Sequence, residues 1–206
     1  QGLSHPKAYG GQELPMSLNL IKSEMMGSAN WSFTMYPGLS LGCMNTIMQY
    51  GSEPQKQTYM PPLVSGEWTG TMCLTEPHCG TDLGQLKTRA EPQPDGSYKV
   101  SGTKIFTTLS PVWTRLGVHA KTPSGQLVFG FVRRDEADNA NLVRGSVAHP
   151  GVWNPLGMRA TQSYTTQLDG VRIDAGDVAA RVEPFDGSDP LVLAIFSSFS
   201  ILTAAV

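Results

Sequence analysis

The chain has 206 residues, with 15 Lys and Arg against 17 Asp and Glu, so its formal net charge is −2. At about 100–200 residues per domain, this length corresponds to one large domain or two small ones with a buried core. Nucleic acids and anionic membranes usually bind basic patches, and the charge balance supports neither partner. Only 16% of the residues are charged, against about 25% in ordinary soluble domains, which suggests that something other than water covers part of the surface.

The three cysteines, Cys43, Cys73 and Cys79, cannot all pair with one another. Their spacing matches neither a disulfide framework nor a zinc site, even with His78 counted as a ligand. We therefore expect a protein of the reducing cytoplasm with no metal site.

Residues 15–64 carry helix-type patterns bounded by turn residues. The first predicted helix runs from Pro15 to Met26, the second lies between Pro37 and Gly51, and the third begins at Ser52 and ends before Pro61. The first helix carries an apolar stripe, formed by Leu18, Leu20, Ile21 and Met25. Core packing is the favoured interpretation of such Met-rich stripes, ahead of a binding groove.

Short β-prone segments separated by Gly, Pro and Asp follow from Trp68 onward. They are residues 69–75, 86–91, 98–101, 104–108, 116–121, 127–133, 142–148 and 164–173. Many short strands with turn residues between them predict an antiparallel barrel or sandwich. Pro190 then starts an uncharged helical pattern that reaches Val206, which is short for a membrane span and is expected to be a core helix. The predicted fold class is α+β.

The segment Cys73–Asp82 (Cys-Leu-Thr-Glu-Pro-His-Cys-Gly-Thr-Asp) runs from a strand into a tight turn. The turn could present main-chain N–H groups and the Thr75 and Thr81 hydroxyls to a ligand with carbonyls or phosphates. Equally, the hydroxyls could satisfy the main chain of the turn itself. The residues alone leave both readings open.

This segment resembles the Thr-Glu-Pro-x-x-Gly-Ser/Thr-Asp signature of the acyl-CoA dehydrogenase family. Further segments resemble motifs of the same family, in the same order along the chain. They are Tyr9-Gly10-Gly11, Gly51–Trp68, Gly102–Thr108, and Leu156–Thr161 followed by Leu168–Arg172. Motifs in the right order over nearly the whole chain make a chance match very improbable.

The resemblance implies an N-terminal helical domain, a central β-barrel domain and a C-terminal helical bundle, with FAD between the last two. Residues 1–67 would be the end of the first domain, 68–185 the second, and 186–206 the truncated start of the third. The family's catalytic base would then lie beyond Val206. The chain alone is accordingly expected to lack dehydrogenase turnover.

The resemblance also implies a role for individual residues of the first motif. The strand before Glu-Pro lies beside the flavin in the family, which assigns Met72, Leu74 and Thr75 to the cofactor. The hydroxyl residue before Asp82 bonds the FAD pyrophosphate, which assigns Thr81.

A second motif, Gly102–Thr108, resembles the segment that stacks an aromatic ring on the flavin and aims a Thr at its N5 atom. It maps to Phe106, Thr107 and Thr108, with Phe in place of the usual Trp. Phe retains a π-face but has a smaller ring with no N–H. Leu109 and Ser110 replace the usual Asn-Gly, so the turn after the motif is expected to differ.

The reaction implied is FAD-dependent α,β-dehydrogenation of a fatty acyl-CoA thioester to the 2,3-enoyl-CoA, with a hydride passing to N5. Implied partners are acyl-CoA and an acceptor of the electron-transfer flavoprotein type, in a homo-oligomer (tetramer or dimer). Arg159 either meets the CoA phosphates or braces a turn. Two alternatives stay open: an acyl-CoA oxidase or flavin monooxygenase of the same fold, and a flavin-free scaffold.

Overall fold

A computed structural model describes residues 1–80, 82–112, 115–133 and 146–182 of the chain. These residues form three helices followed by an eight-stranded sheet, so the predicted α+β class is confirmed. The helices are α1 (Met16–Ala29), α2 (Trp31–Tyr50) and α3 (Glu53–Ser65). The predicted helix after Pro190 lies outside the described residues.

Helix α1 turns its apolar stripe outward, and the prediction that this stripe packs in the core is wrong. Ile21 and Met25 are exposed, Met25 by 69%. The helix buries Asn19, Ser23 and Gly27 instead. Small side chains at four-residue spacing allow a close approach to the neighbouring helix, so a polar, narrow face forms the contact.

Helix α2 begins earlier than predicted, at Trp31, because Asn30 caps it. The Asn30 side chain accepts a hydrogen bond from the Phe33 N–H at 3.0 Å, which satisfies one of the free donors of the first turn. Pro37 consequently lies inside the helix.

Helix α3 begins where predicted but runs past Pro61 and Pro62 to Ser65. Its start combines a Ser52–Gln55 capping box with Pro54 in the first turn. Burial of Leu63 and Val64 in the core outweighs the hydrogen bonds that the two prolines remove. The helix ends at Gly66, whose φ of 86° is left-handed.

The strands of the sheet follow the predicted segments, with shifted ends. They are β1 (Gly70–Cys73), β2 (Arg89–Pro92), β3 (Tyr98–Thr108), β4 (Arg115–Lys121), β5 (Leu127–Arg133), β6 (Ser146–Val152), β7 (Ser163–Ile173) and β8 (Val178–Val182). Two predicted segments merge into the single long β3. The sequence prediction missed β8, whose two alanines have low strand propensity.

The sheet has the order β6-β7-β3-β2-β4-β5-β8. The remaining strand, β1, also pairs with β4, along a different part of β4 from the part that pairs with β2. Both β1 and β2 run parallel to β4, whereas the other pairs are antiparallel. In the described residues the end strands β6 and β8 do not pair with each other, so the sheet is open. The predicted antiparallel β-barrel is therefore not confirmed.

Two apolar clusters hold the molecule together. One lies within the sheet, and the other joins α2 and α3 to β5. In the second cluster the Tyr59 ring of α3 lies 5.1 Å, centroid to centroid, from the Phe131 ring of β5. This packing fixes the helices on the sheet. Over the described part of the chain, no helix has the length and apolarity that a bilayer crossing requires.

Candidate functional site

The signature segment forms a tight turn directly after β1. The Glu76 N–H donates to the Cys79 carbonyl at 2.9 Å, and the Cys79 N–H donates back to the Glu76 carbonyl at 3.1 Å. Ahead of this turn Leu74 is buried and Thr75 is half-buried. The two main-chain bonds therefore close the turn. The Thr75 side chain, just before the turn, stays partly open to solvent.

Glu76 and Lys104 form an ion pair enclosed by protein. The Lys104 Nζ lies 2.8 Å from Glu76 Oε1, and the two residues are 0% and 3% exposed. Glu76 also accepts the main-chain N–H groups of Lys87 at 2.8 Å and Thr88 at 3.0 Å. Burial opposes ionisation of Glu76, but the Lys104 ammonium and the N–H donors outweigh it and lower the pKa of the carboxyl to about 2.

The ligand atoms of Glu76, His78 and Cys79 lie within 4.8 Å of one another, which is the arrangement of a candidate cation site. Both Glu76 oxygens, however, already accept hydrogen bonds from Lys104, Lys87 and Thr88. His78 Nε2 lies 2.9 Å from the Gln85 carbonyl. A cation here would have to compete with the Lys104 ammonium, so the geometry favours the ion pair.

Strand β3 is irregular where it carries the second motif. Its pairing with β7 shifts register between Lys104 and Thr107, and Phe106 has a left-handed φ of 57°. The bulge turns the Phe106 ring outward, where it is 47% exposed. A bulky residue in this conformation stores strain of about 1–3 kcal/mol, which points to a constraint beyond packing.

The Phe106 ring does not stand alone. Trp153, just past the end of β6, places its ring 4.5 Å from that of Phe106, centroid to centroid, and is itself 38% exposed. The Trp153 Nε1–H donates to Thr165 Oγ1 at 3.1 Å, which fixes the indole. Together the two rings form an open aromatic surface, here called the aromatic face.

Two hydrogen bonds join the signature segment to the β3 bulge. The Ile105 N–H donates to the Thr75 carbonyl at 2.9 Å, and Lys104 Nζ donates to the Leu74 carbonyl at 3.1 Å. The two motifs, about 30 residues apart in sequence, therefore lie side by side. Thr75 and Phe106 occupy the two adjoining edges of this junction.

The hydroxyls of the second motif point into the protein. Thr107 is fully buried, with its Oγ1 3.4 Å from Cys73 Sγ. Thr108 is nearly buried; its Oγ1 lies 3.4 Å from Ser163 Oγ, and its carbonyl accepts the Thr71 hydroxyl at 3.0 Å. Such burial disfavours direct ligand contact by Thr107, whose assignment stays a prediction.

The turn after β3 carries Leu109 and Ser110 where the family motif has Asn-Gly, and the expected difference in its geometry stays a prediction. Leu109 takes a left-handed φ of 54°, and Gln162, whose carbonyl accepts the Leu109 N–H at 2.9 Å, is also left-handed. The buried Ser110 hydroxyl lies 2.6 Å from Thr166 Oγ1. The turn thus keeps a conformation that favours Gly or Asn, although the sequence has Leu.

Arg159 is exposed on a 3-10 turn (Arg159–Thr161) between β6 and β7. The same turn is braced by the Tyr36 hydroxyl of α2, which donates to the Ala160 carbonyl at 2.6 Å. Tyr36 therefore braces the turn. Within the part of the chain that the structure describes, the Arg159 guanidinium forms no hydrogen bond to it. The structure therefore leaves the Arg159 side chain facing solvent.

The structure brings the segments of Leu74, Thr75 and Phe106 together, and the adjoining Thr107 and Thr108 are buried. Met72 lies in β1 opposite Gly117 of β4, and Thr81 lies outside the described residues. The sequence prediction missed Lys104 and Trp153. Lys104 lies within the motif Gly102–Thr108, at the start of a predicted strand, but no role was assigned to it, and Trp153 lies outside all the motifs.

Comparisons with known proteins agree with these motifs. The profile described as "Acyl-CoA dehydrogenase, N-terminal domain" matches residues 1–67, and that described as "Acyl-CoA dehydrogenase, middle domain" matches residues 71–171. 3-Methylmercaptopropionyl-CoA dehydrogenase of Ruegeria pomeroyi is 44% identical over 108 residues, 52% of this chain and 18% of that protein. Mitochondrial very long-chain specific acyl-CoA dehydrogenase of Bos taurus is 30% identical over 190 residues, 88% of this chain and 28% of that protein.

Solved structures share the fold. Butyryl-CoA dehydrogenase from Megasphaera elsdenii superposes with a TM-score of 0.85 over 99% of this chain and 52% of that chain, at 22% identity. An acyl-CoA dehydrogenase from Bacillus anthracis, complexed with FAD, superposes with a TM-score of 0.83 over 99% of this chain and 34% of that chain, at 23% identity. The chain spans less than a third of the two curated relatives' length. Since two domain profiles match consecutive parts of the chain and together cover most of it, the chain belongs to the acyl-CoA dehydrogenase family.

Proposed function

We propose that the aromatic face and the adjoining Thr75 edge bind the isoalloxazine ring of FAD. The observation that carries this proposal is the Ile105–Thr75 main-chain bond, which sets the half-buried Thr75 beside the exposed Phe106 ring. An isoalloxazine is flat, with polar atoms along its edges. An exposed aromatic surface next to a hydroxyl and main-chain polar groups fits both properties.

The remaining cofactor contacts follow the family motifs. Leu74 and the main chain of Met72 would line the same edge, and the Thr81 hydroxyl would bond the pyrophosphate. Thr107 and Thr108 are proposed on the family motif alone, Thr108 toward flavin N5, although both hydroxyls are buried in the structure described. Arg159, whose guanidinium is exposed, is proposed for the phosphates of CoA.

We propose that the whole protein dehydrogenates a fatty acyl-CoA to the 2,3-enoyl-CoA and passes the electrons to an electron-transfer flavoprotein. Bound FAD supplies the acceptor for the hydride that leaves the substrate's β-carbon. This chain's residues would position that acceptor: Phe106 covers the ring and excludes water, and Thr75 and Thr108 orient its polar edge. Family membership and the activities named for the curated relatives support the reaction class.

Glu76 is not the base that removes the α-proton. Its carboxylate is enclosed, its pKa is lowered to about 2, and both oxygens are bonded to donors of this chain. A general base needs an open position within hydrogen-bond reach of the substrate. On the family resemblance, we propose that the base comes from the C-terminal bundle of the whole protein, after Val206.

The wider organisation is proposed on the same family grounds. Residues 1–67 end the N-terminal helical domain, 68–185 form the flavin-binding β-domain, and 186–206 start the C-terminal helical domain. The whole protein would be a homo-oligomer, a tetramer or a dimer. A cytoplasmic location rests on the cysteines, of which Cys43 and Cys73 are buried and unpaired.

The test is turnover by the whole purified protein with a series of acyl-CoA thioesters. We expect it to be yellow, with flavin absorbance, and to reduce an electron-acceptor dye only when an acyl-CoA is present. Oxygen consumption with peroxide release, without dye reduction, would show an oxidase instead. Protein that folds but contains no flavin and takes up none from added FAD would refute the proposal in favour of the scaffold alternative.

A further inference from the structure

The Glu76–Lys104 ion pair lies directly beneath the junction of the two motifs. Both side chains are enclosed by protein, so neither can touch a molecule bound at the surface. Any role in ligand binding must act through the groups that the pair holds.

The pair holds both segments that meet at the junction. Lys104 sits on β3, two residues before Phe106, and its ammonium bonds the Leu74 carbonyl at 3.1 Å as well as the Glu76 carboxylate at 2.8 Å. Glu76 is the residue after Thr75. Each charged group therefore lies within two residues of an edge of the proposed flavin site.

The pair also ties in a third segment. The Glu76 carboxylate accepts the main-chain N–H groups of Lys87 and Thr88, just before β2. A buried carboxylate with one cation and two N–H donors has a nearly fixed position, because any shift would strand a charge in a dry environment. The register between the signature turn and the β3 bulge is fixed to the same extent.

We infer that Glu76 and Lys104 are positioning residues for the flavin: their ion pair sets the alignment of Thr75 with Phe106, and with it the affinity and environment of the isoalloxazine ring. This inference rests on the proposed function, since it takes the aromatic face as the flavin site. It adds two residues that touch neither cofactor nor substrate.

The experiment compares the whole wild-type protein with Lys104→Met and Glu76→Gln, both close in size to the native side chains. The flavin is removed, and each apoprotein is titrated with FAD while flavin fluorescence gives the Kd and absorbance gives the spectrum of the bound ring. Lys56→Met is the matched control. Lys56 also forms an ion pair, with its Nζ 2.9 Å from Glu53 Oε1, but at the start of α3, where the Glu53 side chain is 71% exposed.

We expect both variants to bind FAD at least tenfold more weakly and to shift the visible flavin bands, while Lys56→Met stays within twofold of wild type. The double variant Glu76→Gln/Lys104→Met should lose less than the two single losses combined, because it leaves no unpaired buried charge. Non-additivity of this kind marks two residues that act as a unit.

Folded single variants with wild-type Kd and spectrum would overturn the inference and reduce the pair to a stability role, which thermal melts would report. Wild-type protein that binds no FAD would instead refute the proposed function. If Lys104→Met fails to fold, Glu76→Gln carries the same test, because its amide oxygen can still accept the Lys87 N–H.

Discussion

Three residues of the chain hold left-handed backbone close to the proposed site: Phe106, Leu109 and Gln162. None is Gly, Asn or Asp, the residues that take this conformation at low cost. At Phe106 the strained backbone serves the proposed site, because the bulge turns the ring to the surface. At Leu109 we find no such role for the strain, and the family motif has Asn at this position.

Replacing Leu109 with Asn should therefore stabilise the turn. Relative to Leu109→Ala, which loses the same side-chain contacts but keeps the steric strain, we expect Leu109→Asn to gain about 0.5–1 kcal/mol in free energy of unfolding. Urea unfolding of the two variants measures the difference. Equal stability would mean that the left-handed conformation at Leu109 carries no cost.

At this scale the motifs pointed to neighbouring segments but not to the orientation of their side chains. They assign both Thr75 and Phe106 to the flavin, which stays a prediction, and the structure places the two segments side by side although about 30 residues separate them. They could not show that Thr107 faces inward, because the register shift in β3 breaks the alternation of strand side chains. Trp153 was missed for a similar reason, since its position depends on how the loop after β6 closes.

Helix α3 is attached to the far edge of the sheet by polar groups as well as by its apolar face. Gln55 donates to the carbonyls of Gly176 and Val178 at 2.8 and 2.9 Å. The Tyr59 hydroxyl donates to Asp177, whose side chain is buried. Burial raises the pKa of Asp177 to about 7.

This pKa makes the attachment of α3 sensitive to pH. The folded protein binds the Asp177 proton up to about pH 7, whereas the unfolded chain releases it near pH 3.8. Stability should therefore fall as pH rises from about 4 to 7, by up to about 4 kcal/mol from this group. In Asp177→Asn, which cannot titrate but can still accept the Tyr59 hydroxyl, that fall should disappear.

Urea unfolding at pH 5 and pH 8 measures the effect, with the exposed Asp169→Asn as the control. The wild type and the control should lose stability together between the two pH values, and Asp177→Asn should lose less. Parallel losses in all three proteins would contradict the assignment.

The end of a helix follows the local sequence where a capping residue is present. Where no capping residue is present, tertiary packing decides where the helix ends. Ser52 and Pro54 correctly predicted the start of α3, but its end required knowing that Leu63 and Val64 are buried. The outward stripe of α1 shows the same limit. Periodicity identifies an apolar face, but only the partner of the helix decides whether that face is buried.

Over the whole molecule, the proposed site lies where three parts of one sheet meet: the end of β1, the bulge of β3 and the loop after β6. The helices lie against β1 and β5 and so support the sheet that carries this junction. Strand β3 holds Phe106, while the loop after β6 supplies Trp153. Such a scaffold can align a flat cofactor without a large rearrangement on binding.

The most direct test of the account is a titration of flavin-free whole protein with FAD, comparing wild type, Phe106→Ala and Phe33→Ala. Phe33 is the matched control, because it is a similarly exposed phenylalanine, but on α2. We predict saturation at about one FAD per chain for wild type and Phe33→Ala, and at least tenfold weaker binding for Phe106→Ala. Absence of saturable binding, or equal affinity in all three proteins, would contradict the assignment of the aromatic face to the flavin.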